Sequence, residues 1–106
     1  MNHYLYLEKH FATFLRALGH EWTAEATRSL LVAHGDKCYS ARSEWENQGI
    51  AFPHAAAIYL LTYLSPFSRE CRDTPGGWLS PHQWVIRNKD RFLPYLPPIE
   101  AERNQR

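Results

Sequence analysis

The chain has 106 residues, a formal net charge of +1 and two cysteines. This length supports one domain with one core and is too short for two domains. The near-neutral charge excludes a bulk electrostatic attraction to nucleic acid or to anionic lipid. One cysteine pair without a secretory leader pattern does not form a disulfide framework, so we expect reduced thiols and a cytoplasmic location.

The first half of the chain has the apolar spacing of helices. A first helix is predicted to stop at Gly19, because glycine tolerates the left-handed conformation found after helix ends. Thr23 is a favourable N-cap for a second helix, which Gly35 is predicted to end. The stripe of the first helix repeats at three- and four-residue spacing: Tyr4, Leu7, Phe11, Phe14 and Leu18.

A third helix is predicted to follow Gly35, with Asp36 or Ser40 as its cap and Gly49 as its stop. Ile50 then stands where a Schellman motif places an apolar residue against the preceding turn. The fourth helix, 53–64, is apolar nearly all round, which predicts a position in the middle of a bundle. Its apolar run is shorter than the roughly 20 residues that span a bilayer, so we expect no membrane association.

The stretch WLSPHQWVI, residues 78–86, has the signals of a helix start. Ser80 is a favourable N-cap, Pro81 suits the first helical position, and Gln83 completes a capping box. Leu79 and Trp84 occupy the two positions of a hydrophobic staple. We therefore predict a helix from here to about residue 92, followed by extended chain. That chain is expected to pack back through Leu93, Tyr95, Leu96 and Ile99.

These patterns predict an all-α fold, a compact bundle of five or six short helices around the apolar helix 53–64. An extended, proline-rich C-terminal segment follows the bundle. Residues 1–99 are expected to form the single helical domain, and residues 100–106 a flexible tail.

The sequence has few features that indicate catalysis or metal binding. It contains no CxxC or HxxxH pair, no GxSxG elbow and no phosphate-binding GxxxxGK[ST] loop. A small enzyme or a zinc protein is the third-ranked interpretation. We expect no catalytic residues, no metal ligands and no cofactor.

DNA binding is the second-ranked interpretation. Residues 23–47 have the length and the central glycine of a helix-turn-helix, with Gly35 in the turn. Glu44 and Glu46 would bring negative charge toward DNA, which weakens the match. Contacts with DNA would come from the start of the recognition helix: Lys37, Tyr39, Ser40 and Arg42.

The leading interpretation is a non-enzymatic protein-interaction module, such as a small adaptor or an inhibitor that docks on a larger protein. Aromatic residues, at 14%, exceed what a core of this size needs. Tryptophan and arginine are enriched at interface hot spots. The expected partner-binding residues are Trp78, His82, Arg87 and Arg91. The partner is another protein, homodimerisation stays open, and the size is typical of bacterial accessory proteins.

Overall fold

The computed structural model describes residues 4–73 and 79–99, and every regular element in these ranges is helical. The predicted all-α class is therefore confirmed. Trp78, residues 74–77 before it and the predicted tail 100–106 lie outside the described residues. The helices are α1 (Tyr4–Ala17), α2 (Ala24–Cys38), α3 (Arg42–Asn47), α4 (Phe52–Leu61), α5 (Phe67–Arg72) and α6 (Pro81–Phe92). Short 3₁₀ turns occupy Tyr39–Ala41 and Leu93–Tyr95.

Helix α4 is the most deeply buried element. Phe52 and all residues from Ala55 to Leu61 are buried. Its alanines at 55–57 let neighbouring helices approach closely, and α4 packs against α1, α2, α3 and α6. Among the described helices, none has the combination of length and apolarity that a bilayer crossing requires.

Two of the predicted helix stops are formed as expected. Gly19 and Gly49 have positive φ values of 93° and 80°. In each case the following residue closes the turn, because the His20 N–H donates to the Leu15 carbonyl at 3.0 Å and the Ile50 N–H donates to the Trp45 carbonyl at 3.1 Å. These are Schellman motifs, in which a glycine supplies the left-handed residue.

The predicted stop at Gly35 is wrong, because α2 continues through it to Cys38. Gly35 is buried, and a Cβ atom there would lie 3.0 Å from the ring of Tyr4 on α1. Glycine at this position thus allows α1 and α2 to approach closely. Accordingly Asp36 and Ser40 do not cap a third helix. Asp36 lies inside α2, and the Ser40 hydroxyl donates to the Lys37 carbonyl at 2.9 Å.

Helix α6 begins at Pro81 as predicted, although its predicted capping box is wrong. The Ser80 hydroxyl makes no capping hydrogen bond and has no partner among the described residues. The helix start is held by the backbone instead, since the Trp84 N–H donates to the Ser80 carbonyl at 2.9 Å. Trp84 is buried and Leu79 packs against the core, so apolar contacts stabilise this first turn.

The C-terminal segment differs from the prediction in its first residues. Leu93–Tyr95 forms a 3₁₀ turn rather than extended chain, and Tyr95 is 49% exposed. Leu96 is buried, as expected. The segment is then tied to α1 and α4, because the Tyr6 hydroxyl and His54 Nε2 both hydrogen-bond to the Pro97 carbonyl.

Candidate functional site

A cavity of about 400 Å³, open to solvent, lies between helices α5 and α6. We call it the first cavity. Charged side chains enter from both helices, and Trp84 lies beneath them as a buried residue. Its lining consists of Pro66, Arg69, Glu70, Asp73, Trp84, Arg87 and Asn88.

A second cavity, of about 310 Å³, continues along α6 and shares Pro66 and Glu70 with the first. Most of its wall is aromatic or aliphatic. The two cavities together form the α5–α6 groove. The residues particular to the second cavity are Leu18, His20, Phe67, Arg91, Phe92 and Tyr95.

Glu70, which lines both cavities, forms an ion pair with Arg91 of the second cavity. Nη1 and Nη2 of Arg91 donate to the two carboxylate oxygens of Glu70 at 2.8 and 3.1 Å. The guanidinium also lies 4.7 Å from the ring centroid of Phe92. The hydrogen bond to Glu70 raises the pKa of Arg91, while partial burial acts in the opposite direction. Both members of this pair are therefore engaged within the fold.

The other two arginines of the groove are not engaged in this way. Arg69 on α5 and Arg87 on α6 are exposed, and neither side chain has a hydrogen-bond or ion-pair partner within residues 4–73 and 79–99. Guanidinium groups carry five N–H donors in a planar fork that matches carboxylates. The first cavity thus presents unused donors from two facing helices.

The structure separates the predicted partner-binding residues. Arg87 and Arg91 lie on the side of α6 that faces α5. His82 instead faces α3, where its Nε2 is 3.6 Å from Oε1 of Glu44. The predicted residues that are described therefore do not form a single patch, and Trp78 is outside the described ranges.

The sequence did not identify Arg69, Asn88 or Tyr95 as site residues. Arg69 lies in a six-residue helix, and its distance from Arg87 depends on how α5 and α6 pack. No local pattern encodes that packing. Tyr95 is predicted from the sequence to pack back on the bundle in extended chain, whereas it ends a 3₁₀ turn and is 49% exposed.

The residues predicted to contact DNA do not begin one helix. Lys37 lies in the last turn of α2, Tyr39 and Ser40 belong to a 3₁₀ turn, and Arg42 starts the six-residue α3. Arg42 makes an ion pair with Glu46 at 3.0 Å. Since α2 continues through Gly35, the predicted helix-turn-helix arrangement is wrong in its central turn.

Cys38 and Cys71 are buried and are not joined in a disulfide. Burial raises the pKa of the Cys38 thiol to about 12, and burial followed by the charge of Glu70 raises that of Cys71. Both side chains therefore remain protonated thiols near neutral pH, which are weak nucleophiles and weak metal ligands. Within the described part of the chain, no three His, Cys, Asp or Glu side chains cluster as metal ligands would.

The arrangement in the α5–α6 groove is suited to binding. It combines unused guanidinium donors, an ion pair that links α5 to α6, and an adjoining aromatic wall. Comparison with known protein families, with curated proteins and with solved structures finds no match for this chain.

Proposed function

We propose that this protein is a non-enzymatic interaction module, an adaptor or an inhibitor, that docks on another protein through the α5–α6 groove. One observation supports this most directly: Arg69 and Arg87 line the same cavity and have no partner among the described residues. The buried Trp84 beneath them gives this cavity a rigid base. Arginine is among the residues enriched at interface hot spots, which lie in well-packed pockets.

The other exposed apolar side chains support docking less well. Val32 on α2 is 88% exposed and Leu5 on α1 is 61% exposed. Both project from helices, and no cavity described in the structure includes them. Single exposed apolar residues are common on soluble proteins. The groove is therefore the surface to which we assign the contact. The buried thiols, which are not joined in a disulfide, support a cytoplasmic location.

The test is site-specific photo-crosslinking in an extract of the cells that make the protein. A benzophenone amino acid replaces Asn88, which lines the first cavity, and in a matched control it replaces Ser29, which is exposed on α2. We expect a discrete crosslinked product from position 88 that position 29 does not give. That product should be lost in a variant that also carries Arg69→Glu and Arg87→Glu. Identical products from both positions, or none from position 88, would overturn the assignment.

A further inference from the structure

We infer that the segment bound in the α5–α6 groove carries an Asp or Glu side chain in the first cavity. Three or four residues away along that segment, an apolar side chain occupies the second cavity. This inference rests on the proposed function and specifies the chemistry of the partner.

The charges of the groove favour an acidic side chain. Among its lining residues, three arginines face two acids, which leaves a net charge of +1. Of the acids, Glu70 already accepts hydrogen bonds from Arg91 on both carboxylate oxygens. Of the arginines, Arg69 and Arg87 have no partner in the described residues. A carboxylate can thus bind without breaking an existing ion pair.

A basic side chain would fit less well. It would have to compete with Arg91 for Glu70, or bind Asp73 at the end of α5. Asp73 is exposed and lines the cavity together with both unpaired arginines, whose charges would repel a second cation. Charge-assisted hydrogen bonds from guanidinium to carboxylate are shorter and stronger than neutral ones. An Asp or Glu side chain is therefore favoured over a basic one in the first cavity.

The second cavity favours an apolar side chain. Phe67 and Phe92 form its buried wall, and Tyr95 stands beside them with 49% of its surface exposed. The His20 ring packs on Phe67 with 5.5 Å between centroids. The remaining charged pair, Glu70 and Arg91, is internally neutral. An aliphatic or aromatic partner residue would bury apolar surface here without leaving an unpaired charge.

The length of the groove sets the spacing. Arg87 and Tyr95 are eight residues apart in a segment that is helical throughout. At a rise of about 1.5 Å per residue this separation is about 12 Å. An extended peptide advances about 3.3 Å per residue, so three or four residues cover the same distance.

The experiment selects from a displayed library of random dodecapeptides on the immobilised protein, then measures the affinity of single peptides by fluorescence anisotropy. We expect selected peptides to carry Asp or Glu three or four residues from an apolar residue. Affinity should fall about tenfold or more in the Arg69→Gln, Arg87→Gln double variant, which corresponds to about 1.4 kcal/mol. Replacing the peptide's acid by its amide should give the same loss, with little further loss in the double variant.

Two variants localise the binding. Asn88→Trp fills the first cavity and should abolish binding, whereas Ser29→Trp on α2 should leave it unchanged. Tyr95→Ala should lower the affinity for peptides that carry the apolar residue and leave the affinity for peptides without it unchanged. Because the amide substitution is made in the peptide, it tests the charge without changing the protein.

Different failures have different meanings. Selected peptides that lack an acid, bind less well to Asn88→Trp and are unaffected by the double variant would overturn the acidic occupant and leave the docking groove in place. Selected peptides that are insensitive to Asn88→Trp, or the absence of selected peptides, would also overturn this inference. The docking function itself fails only if the crosslink at position 88 is absent or unspecific.

Discussion

The indole N–H of Trp45 on α3 donates a hydrogen bond to the backbone carbonyl of His82, in the first turn of α6, at 3.0 Å. Trp45 is fully buried, and its ring packs against Tyr59 of α4 with 5.5 Å between centroids. One side chain thus ties α3 and α4 to the start of α6. The position of α6 determines where Arg87 stands, so this contact supports the groove from the opposite side of the helix.

Trp45→Phe should destabilise the protein by at least about 1 kcal/mol, because it removes this hydrogen bond and reduces core volume. Urea unfolding measures the change. The control is His82→Ala, which keeps the backbone carbonyl and removes only the exposed contact with Glu44. Exposed ion pairs contribute about 0–1 kcal/mol, so we expect the control to cost less. Equal decreases in the free energy of unfolding of the two variants would show that the hydrogen bond from Trp45 does not stabilise the fold.

The helix ends that sequence reasoning predicted correctly depend on neighbouring residues. Thr23 caps α2 by accepting the Ala26 N–H at 3.1 Å, and Gly49 ends α3 by its positive φ. The predicted helix stop at Gly35 is wrong because the role of this glycine depends on Tyr4, which is distant in sequence and adjacent in space. A glycine that stops a helix and one that allows close packing have the same local signature.

Gly35→Ala should stabilise the Tyr4→Ala variant more than it stabilises the wild type. Alanine is favoured over glycine in a helix by about 1 kcal/mol. In the wild type, the new Cβ would lie 3.0 Å from the Tyr4 ring, and displacement of that ring offsets part of the gain. A double-mutant cycle followed by thermal or urea unfolding measures the difference. If the gain is the same in both backgrounds, the close contact does not constrain the helices.

Glu70 and Arg91 should show a measurable coupling energy of about 0.5–1 kcal/mol, the upper part of the range for exposed pairs, because the contact is bidentate. Glu70→Gln and Arg91→Met form the double-mutant cycle, followed by urea unfolding. The coupling should decrease when salt is raised from about 0.1 M to about 1 M. Lys89 and Asp90, adjacent in sequence at 3.3 Å with Asp90 almost fully exposed, provide a control pair with a weaker expected coupling. A coupling no larger than that of the control would show that the ion pair does not stabilise the packing of α5 against α6.

The candidate site was predictable only in part. The four-residue spacing of Arg87 and Arg91 correctly indicated a shared face, because spacing within one helix determines which residues are neighbours. The engagement of Arg91 by Glu70 requires α5 to lie beside α6, and the separation of His82 requires α3 to lie on the other side. Both are consequences of packing between short helices, whose mutual positions no local pattern specifies.

The stability of the protein should fall steeply above pH 9, partly because of Cys38. Its pKa is raised by burial from 9.0 to about 12, so in this range the unfolded chain releases the thiol proton and the folded chain retains it. The protonated Cys38 thiol makes its full contribution to the free energy of unfolding below pH 9, and this contribution is lost as the pH rises toward 12. Between about pH 9 and pH 10, below most tyrosine ionisation, the free energy of unfolding should decrease less in Cys38→Ala than in the wild type, by about 1 kcal/mol per pH unit. Cys71 is present in both chains, so its contribution cancels. Urea unfolding at a series of pH values measures the two slopes, and equal slopes would show that Cys38 ionises in the folded protein.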